Sequence, residues 1–279
     1  MSDTIYYNSL ILPTIEEIKA STDILSDDNL TTVVRVKEHF AVKYGDHLHL
    51  IEVDNLQFLA GQNIPVPRVY SAFIDPETNI RYIIMEYIPG QSLAKLLPSL
   101  QPAEKTKICK LLKDTFTRLR EIPSQGYLGA LNRQPYRNGF FVTEDQEPGI
   151  SGPFRNQPEM NVTILNILSY FARPAYIRFI REIINRTFIG HRTVFTHGEL
   201  RSKHVIVEQI GLCEDGSPDF KITIIEWETA GWYPEYWEFC EAIIACEPGF
   251  DWLDQLRVIF PPYHRELLML QSIHSTVCS

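Results

Sequence analysis

The chain has 279 residues, and 26 basic against 35 acidic side chains leave a formal charge of −9. With 44% hydrophobic and 22% charged residues it has the composition of a folded globular protein of one large or two small domains, which argues against disorder as the main state. The acidic balance argues against a nucleic-acid groove, and no apolar run approaches the ~18 residues that span a bilayer.

No nucleic-acid or membrane partner is therefore expected. The start, Met1–Thr4, carries neither a basic nor a long apolar segment, so no secretory signal is visible. Cys109, Cys213, Cys240, Cys246 and Cys278 are an odd set without CxxC spacing, which predicts free thiols in a reducing, cytoplasmic compartment. Nothing in the sequence points to an oligomeric state.

In chain order, Thr14 with Glu17 three residues on predicts a capped helix start. The period then changes. Thr31–Val36 and Phe40–Tyr44 read as strands joined by a tight turn at Lys37-Glu38-His39. Apolar residues Leu48, Ile51, Leu56 and Leu59 recur at helical spacing, and Asn63–Pro67 ends that helix. Val69–Ile74 and Arg81–Met85 predict two more strands around the turn Asp75–Asn79. Beyond Glu86–Gly90 the chain reads as mostly helical: Ala103–Glu121, Asn161–Phe171 and Ala175–Asn185, with short strands at Val205–Glu208 and Lys221–Ile225. Helices near Tyr236–Ala245 and Pro262–Ile273 close it. The stretch Pro123–Pro158, rich in Gly, Pro, Asn and Gln, is too long for an ordinary connection and predicts a binding loop or lid.

The pattern predicts an α+β, bilobal molecule: a β-rich N-terminal lobe over residues 1–85, a hinge, and a larger helical C-terminal lobe over residues 86–279. A cleft between such lobes is the default ligand site.

Five segments in this order carry a resemblance: Ala41-Val42-Lys43-Tyr44-Gly45; Glu52 on the next helix; Met85-Glu86-Tyr87-Ile88-Pro89-Gly90; His197-Gly198-Glu199-Leu200; and Ile225-Glu226-Trp227-Glu228. Together they look like the aminoglycoside phosphotransferase family, most of all the branch abundant in filamentous fungi. Gly152-Pro153-Phe154 and the run Ala230–Glu238 fit that branch too. The resemblance implies a protein-kinase-like fold that transfers the γ-phosphoryl group of ATP, with Mg2+, to a small-molecule acceptor. Lys43 paired with Glu52 would hold phosphates as a fixed point charge. The backbone of Glu86, Tyr87 and Ile88 would meet the adenine edge. The turn Lys37-Glu38-His39 lacks the glycine of a phosphate-cradling loop.

The departures from the family pattern fall on the chemistry. Glu199 stands where relatives have the Asp that orients and deprotonates the acceptor hydroxyl. His204 and Glu226 stand where they have the Asn and Asp that ligate magnesium. Each Asp-to-Glu change adds about 1.5 Å of reach, and a misplacement near 1 Å can cost ~100-fold. An imidazole is a poor magnesium ligand and suits zinc, manganese or iron better, so another divalent metal is an alternative. His197, Glu199 and His204 with Glu226 and Glu228 hold the donor types of a transition-metal site, against which the first His of this motif is structural in kinase folds.

Three functions follow. One is an atypical ATP-dependent phosphotransferase with Glu199 as base, Glu226 and His204 on the metal, and Lys43 on the phosphates. The second is a repurposed secondary-metabolism enzyme running cyclisation, elimination or condensation by acid/base chemistry among Glu199, His204 and Glu226. The third is a pseudokinase that binds without turnover. Trp227, Trp232, Tyr233, Tyr236 and Trp237 would either line an acceptor pocket or, as such runs more often do, form core. Arg201 and Lys203 would hold a phosphate or lie in a solvated loop. The acidic run Glu144-Asp145-Gln146-Glu147 would attract a cationic acceptor or simply be solvated.

Overall fold

The computed structural model describes residues 6–7, 10–28, 30–141, 147–246 and 251–277. A two-stranded hairpin, β1 (Tyr6–Tyr7) and β2 (Leu10–Ile11), leads into the short helix α1 (Ile15–Lys19). The expected cap is present: the Glu17 N–H donates to Thr14 Oγ1 at 3.2 Å and the Thr14 N–H to the Glu17 carboxylate at 2.9 Å. Then come β3 (Ile24–Asp27), β4 (Thr32–Val36), β5 (Phe40–Gly45), α2 (Ile51–Ala60), β6 (Val69–Ile74) and β7 (Arg81–Glu86). The five strands form one antiparallel sheet in the order β3-β4-β5-β7-β6.

Period-two alternation gives this sheet two faces. Val34, Val36, Phe40, Val42, Tyr82 and Ile84 pack under Leu12 and Ile18 on one. Ala41, Ile83 and Met85 pack with Leu48 on the other, and Lys43 shares their parity.

The strand β3 corrects the expected pattern. Its four residues are all exposed and show no alternation, so nothing in the sequence marked them. It also changes which turn lies at the Lys43 end of the sheet. The register pairs Asp27 with Thr32 and Val33 with Lys43, so it is Asp28–Thr31 that turns at the Lys43 end. The turn Lys37-Glu38-His39 lies at the opposite end, where the Tyr87 N–H donates to the His39 carbonyl at 2.9 Å.

The second part holds β8 (Gln91–Ser92), α3 (Leu93–Leu96), α4 (Pro102–Glu121), β9 (Gly129–Ala130), α5 (Pro148–Ser151), α6 (Gln157–Ser169), α7 (Pro174–Thr187), β10 (Thr193–Thr196), β11 (Val205–Leu212), β12 (Pro218–Ile224), β13 (Gly231–Pro234), α8 (Trp237–Ile244), α9 (Trp252–Ile259) and α10 (His264–Val277). Two three-stranded sheets, β12-β11-β8 and β10-β13-β9, sit among these helices. The strands β9, β10 and β13 and the helix α9 were not anticipated. β9 is only two residues long, and β13 is buried on both faces, so neither shows alternation. The stretch Pro123–Pro158 is not one loop, since β9 and α5 interrupt it. Residues 144–146 of its acidic run lie outside the described residues.

The aromatic run is core. Trp227, Trp232, Tyr233, Tyr236 and Trp237 are fully buried, so they do not line an open acceptor pocket. Tyr136 stacks on Tyr233 with ring centroids 4.2 Å apart, and its hydroxyl donates to the Trp232 carbonyl. The result is the α+β arrangement of a small antiparallel sheet part and a larger helical part. No helix among the described residues is long and apolar enough to cross a membrane.

Candidate active site

Lys43 is the buried centre of the site. Its Nζ lies 2.9 Å from Glu52 Oε2, 2.7 Å from Glu226 Oε2 and 3.7 Å from Glu228 Oε2. Alternation on β5 sends Lys43 toward α2, and the first turn of α2 delivers Glu52. Burial works against the Lys43 charge, but Glu52, Glu226 and Glu228 outweigh it and hold the pKa well above the ordinary lysine value. The same burial raises Glu52 and Glu228, because one ammonium cannot fully compensate three carboxylates. For Glu226 burial is overcome by Lys43, and its pKa is lowered.

Glu226 has φ 63°, in the left-handed region that costs a non-glycine residue roughly 1–2 kcal/mol. Its neighbours hold it there. The Ile225 N–H donates to the His204 carbonyl at 2.9 Å, and the Trp227 N–H reaches Glu52 Oε1 at 3.3 Å. Asn55, one helical turn after Glu52, donates to the Trp227 carbonyl at 2.8 Å. α2 therefore grips the segment Ile225–Glu228 with two side chains. Backbone strain that the surroundings over-determine is a mark of functional sites.

The His197–Glu199 segment is held from beneath by Glu238 on α8, which is buried. Its carboxylate accepts the N–H groups of His197 at 2.6 Å, Gly198 at 3.2 Å and Leu200 at 3.3 Å. Gly198 is needed where it stands: its φ is 85°, and a Cβ there would meet the Thr229 carbonyl oxygen at 2.7 Å. His197 Nε2 donates to the Ile225 carbonyl at 2.9 Å, and its Nδ1 accepts the Glu199 N–H at 3.2 Å. Both ring nitrogens are used, so His197 is a neutral structural residue and not a metal ligand, in keeping with a pKa lowered by burial.

His204 has a different arrangement. Its Nδ1 donates to the Glu199 carbonyl at 2.9 Å, which leaves the lone pair on Nε2, the tautomer that ligating histidines adopt. Burial and the neighbouring His197 bring its pKa down to about 3, so the ring is neutral at physiological pH. The Glu199 carboxylate is half-buried and pairs with Arg201 Nη2 at 2.9 Å.

The residues fit a divalent cation in part. Glu226 and Glu228 present carboxylate oxygens in excess over Lys43, and His204 adds an imidazole lone pair. Among the described residues no group of three or more His, Cys, Asp or Glu forms a cage, so such an ion would take its remaining ligands from substrate and water. At the hinge the Tyr87 N–H is committed to the sheet, whereas the Ile88 N–H has no partner among the described residues. A cavity of about 410 Å3 beside it is lined by Arg35, Glu38, Glu86 and Tyr87, with the Arg35 guanidinium 4.1 Å from the centre of the Tyr87 ring. A second cavity of about 300 Å3 lies between α2 and Gln134–Arg137. Lys43 lines neither.

The structure thus brings Lys43, Glu52 and Glu226 into one ion cluster and ties His204 to Glu199. Glu86, Tyr87 and Ile88 lie apart from that cluster, at the hinge. Sequence reasoning missed three contributors: Glu238, hidden in an aromatic run; Asn55, one turn after Glu52; and Asp28, whose Oδ1 accepts the Leu30 and Thr31 N–H groups at 3.1 and 2.7 Å and shapes the turn over Lys43. The i, i+3 spacing of Glu52 and Asn55 was the available signal for Asn55.

The model of the phosphotransferase enzyme family, APH, matches residues 24–257. No curated protein sequence matches the chain. Among solved structures, a thermostable mutant of aminoglycoside phosphotransferase APH(4)-Ia in ternary complex with ADP and hygromycin B superposes with a TM-score of 0.60 at 12% identity, over 95% of this chain and 90% of that one. The GDP and kanamycin complex of APH(2")-IIia gives 0.57 at 14% identity over 91% and 83%. The streptomycin–ATP–APH(2")-IIa complex gives 0.56 at 13% over 94% and 82%. At these identities the likeness is one of fold.

Proposed function

The chain belongs to the phosphotransferase enzyme family, and on that premise we propose that it transfers the terminal phosphoryl group of ATP to a hydroxyl of a small molecule, with glutamates in place of the family's aspartates. The observation that carries this reading is the buried contact of Lys43 with Glu52 and Glu226, a cation fixed at the point where nucleotide phosphates would lie. The unpartnered Ile88 N–H at the hinge supports it.

In this reading the Ile88 amide and the backbone of Glu86 and Tyr87 orient the base. Lys43 takes the phosphates as a point charge, and Glu52 keeps its ammonium in place. Glu226, Glu228 and His204 would hold Mg2+ or another divalent cation, which neutralises charge on the phosphates when bound. Glu199 accepts the proton of the acceptor hydroxyl. Its extra methylene extends the reach, and the Arg201 ion pair holds the longer arm in one direction. The His204 bond to the Glu199 carbonyl sets the backbone from which that arm starts.

The test is thermal melting with MgATP, followed by ADP release and mass spectrometry across hydroxylated small molecules. Saturating nucleotide at 100 times its dissociation constant stabilises by about 2.7 kcal/mol, a readily measured shift. Lys43→Met removes the shift, whereas Glu199→Gln keeps it and loses turnover. No shift at millimolar MgATP overturns the proposal. A shift with no acceptor turned over supports the binding-module reading instead.

One observation favours a second reading. Burial raises Glu228 while Lys43 holds Glu226 low, so two carboxylates in one site have opposite protonation preferences, the arrangement that acid/base catalysis uses. Turnover of a small molecule without nucleotide, lost in Glu228→Gln, would establish that reading.

A further inference from the structure

We propose that Lys107 and Cys213 form an oxidant-responsive site: peroxide converts the Cys213 thiol to a sulfenic acid, and the Lys107 amine captures it as a sulfenamide that staples α4 to the β11–β12 hairpin.

The pair lies at the far end of that hairpin from the candidate active site. β11 starts just after His204 and β12 ends just before Glu226, so the turn Cys213–Ser217 closes the opposite end of the ladder. The turn is fixed by its own backbone. The Cys213 N–H donates to the Ser217 carbonyl at 2.8 Å, and the Gly216 N–H to the Cys213 carbonyl at 2.9 Å. Lys107, in the second turn of α4, reaches across to it. Its Nζ donates to Cys213 Sγ at 3.4 Å, to Ser217 Oγ at 2.5 Å and to the Pro218 carbonyl at 3.1 Å. An ammonium has three N–H donors, and this one directs all of them at the turn. The nitrogen is thereby held against sulfur.

Other thiols of the chain are placed differently. Cys109 and Cys240 are buried. Burial pushes both thiols up, Cys109 to about 11, away from the ionised form that attacks peroxide. Cys213 is half-buried on a turn whose neighbours Leu212 and Glu214 are exposed, so peroxide can reach it.

The chemistry balances with one peroxide. The Cys213 sulfur attacks one peroxide oxygen; an S–O bond forms and the O–O bond breaks. Sulfur is oxidised by two electrons, and the departing hydroxide leaves as water with the thiol proton. The Lys107 ammonium then gives up one proton. Ser217 Oγ accepts from Nζ and itself donates to Asp215 Oδ1, so a hydrogen-bonded line leads from the nitrogen to an exposed carboxylate and water. The freed lone pair attacks the sulfur that it already touches. An N–S bond forms, the S–OH bond breaks, and the hydroxyl leaves as water with a second nitrogen proton. Two equivalents of a thiol reverse the step, returning the amine and the Cys213 thiol and ending as a disulfide. The sulfenamide closes a long covalent loop, which restricts the unfolded chain.

The test is titration of the full chain with hydrogen peroxide, followed by intact mass and peptide mapping without reductant. The wild type yields a species about 2 Da lighter, for the two hydrogens lost, in which one cross-linked peptide pair holds Lys107 and Cys213. Dithiothreitol restores the original mass, and the oxidised protein melts higher than the reduced one. Cys213→Ser gives no such species. Lys107→Gln gives none either, while dimedone still labels its Cys213 as the sulfenic acid. The two variants alter different elements, so one still reports if the other does not fold. A wild-type Cys213 that stays reduced, or that passes to the sulfinic acid without a cross-link, overturns the inference. So does a lighter species that persists in Lys107→Gln, since a second cysteine is then the partner. Neither nucleotide nor turnover enters the readout, so it is independent of the proposed reaction.

Discussion

Lys43 and Glu226 are 183 residues apart in the chain, and their side chains meet at 2.7 Å. This contact closes the strand β5 onto the segment that follows β12, and Glu52 completes it from α2. Lys43 and Glu52 are both almost wholly buried, so neither charge can be relieved by water when the other is removed. Lys43→Met should therefore cost roughly 3–5 kcal/mol in urea unfolding, the range for breaking a buried pair. Lys43→Met with Glu52→Leu should recover most of that loss. A single variant as stable as the wild type would show that the site is far wetter than its burial implies.

Glu238 accepts three backbone N–H groups of the His197–Leu200 segment, those of His197, Gly198 and Leu200. Glu238→Gln removes the charge and turns one acceptor into a donor facing N–H groups. The expected loss is about 2–3 kcal/mol at an unchanged denaturant slope, measured by the shift in midpoint. If the proposed reaction holds, turnover falls further than stability alone requires, because the backbone of Glu199 is no longer fixed.

Acid should destabilise the protein through His204. Its folded pKa is depressed to about 3 against 6.5 in an exposed chain. Between those values the unfolded chain binds the extra proton, so stability falls as pH falls and is fully regained above 6.5. One such group contributes a slope of about 1.4 kcal/mol per pH unit. Urea midpoints from pH 7 to pH 4 in chelator-containing buffer test this: His204→Asn should flatten the curve by one proton. An identical slope in wild type and variant would remove His204 from the account.

Gly90 has φ 110°, and a Cβ there would lie 2.3 Å from the Val207 carbonyl oxygen. Gly90→Ala should lower stability by more than about 2 kcal/mol, since both the backbone angle and a backbone contact oppose it. A melting temperature equal to wild type would mean that this stretch shifts freely.

Much of this could be read from residue order. The strand Phe40–Gly45 and the helix Ile51–Ala60 were legible from local composition and spacing, but the pairing of Lys43 with Glu52 rested on the family resemblance, since no local period says which carboxylate a strand lysine meets. The aromatic density of Trp232–Trp237 foretold burial on the same local grounds. What escaped had no local period. β3 is an exposed edge strand, and missing it left Lys37–His39 as the one turn to set against Lys43, whereas Asp28–Thr31 turns at that end of the sheet. Glu238 looked like one more residue of an aromatic helix, since its partners are backbone amides some 40 residues earlier, which no side-chain pattern records. The tautomer of His204 rests on a carbonyl five residues away and is visible only in three dimensions.

The strand β8 has a mechanical consequence. Gln91 and Ser92 are hydrogen-bonded onto β11, and the Ile224 N–H of β12 holds the Pro65 carbonyl at 2.9 Å. The five-stranded sheet is thus moored to one hairpin at two places, just after α2 and just after the hinge. A line through Pro65 and Gly90 is the natural axle for any tilt of the sheet. Any such tilt has to part Lys43 from Glu226 and Asn55 from the Trp227 carbonyl, so these two contacts act as the latch opposite the axle.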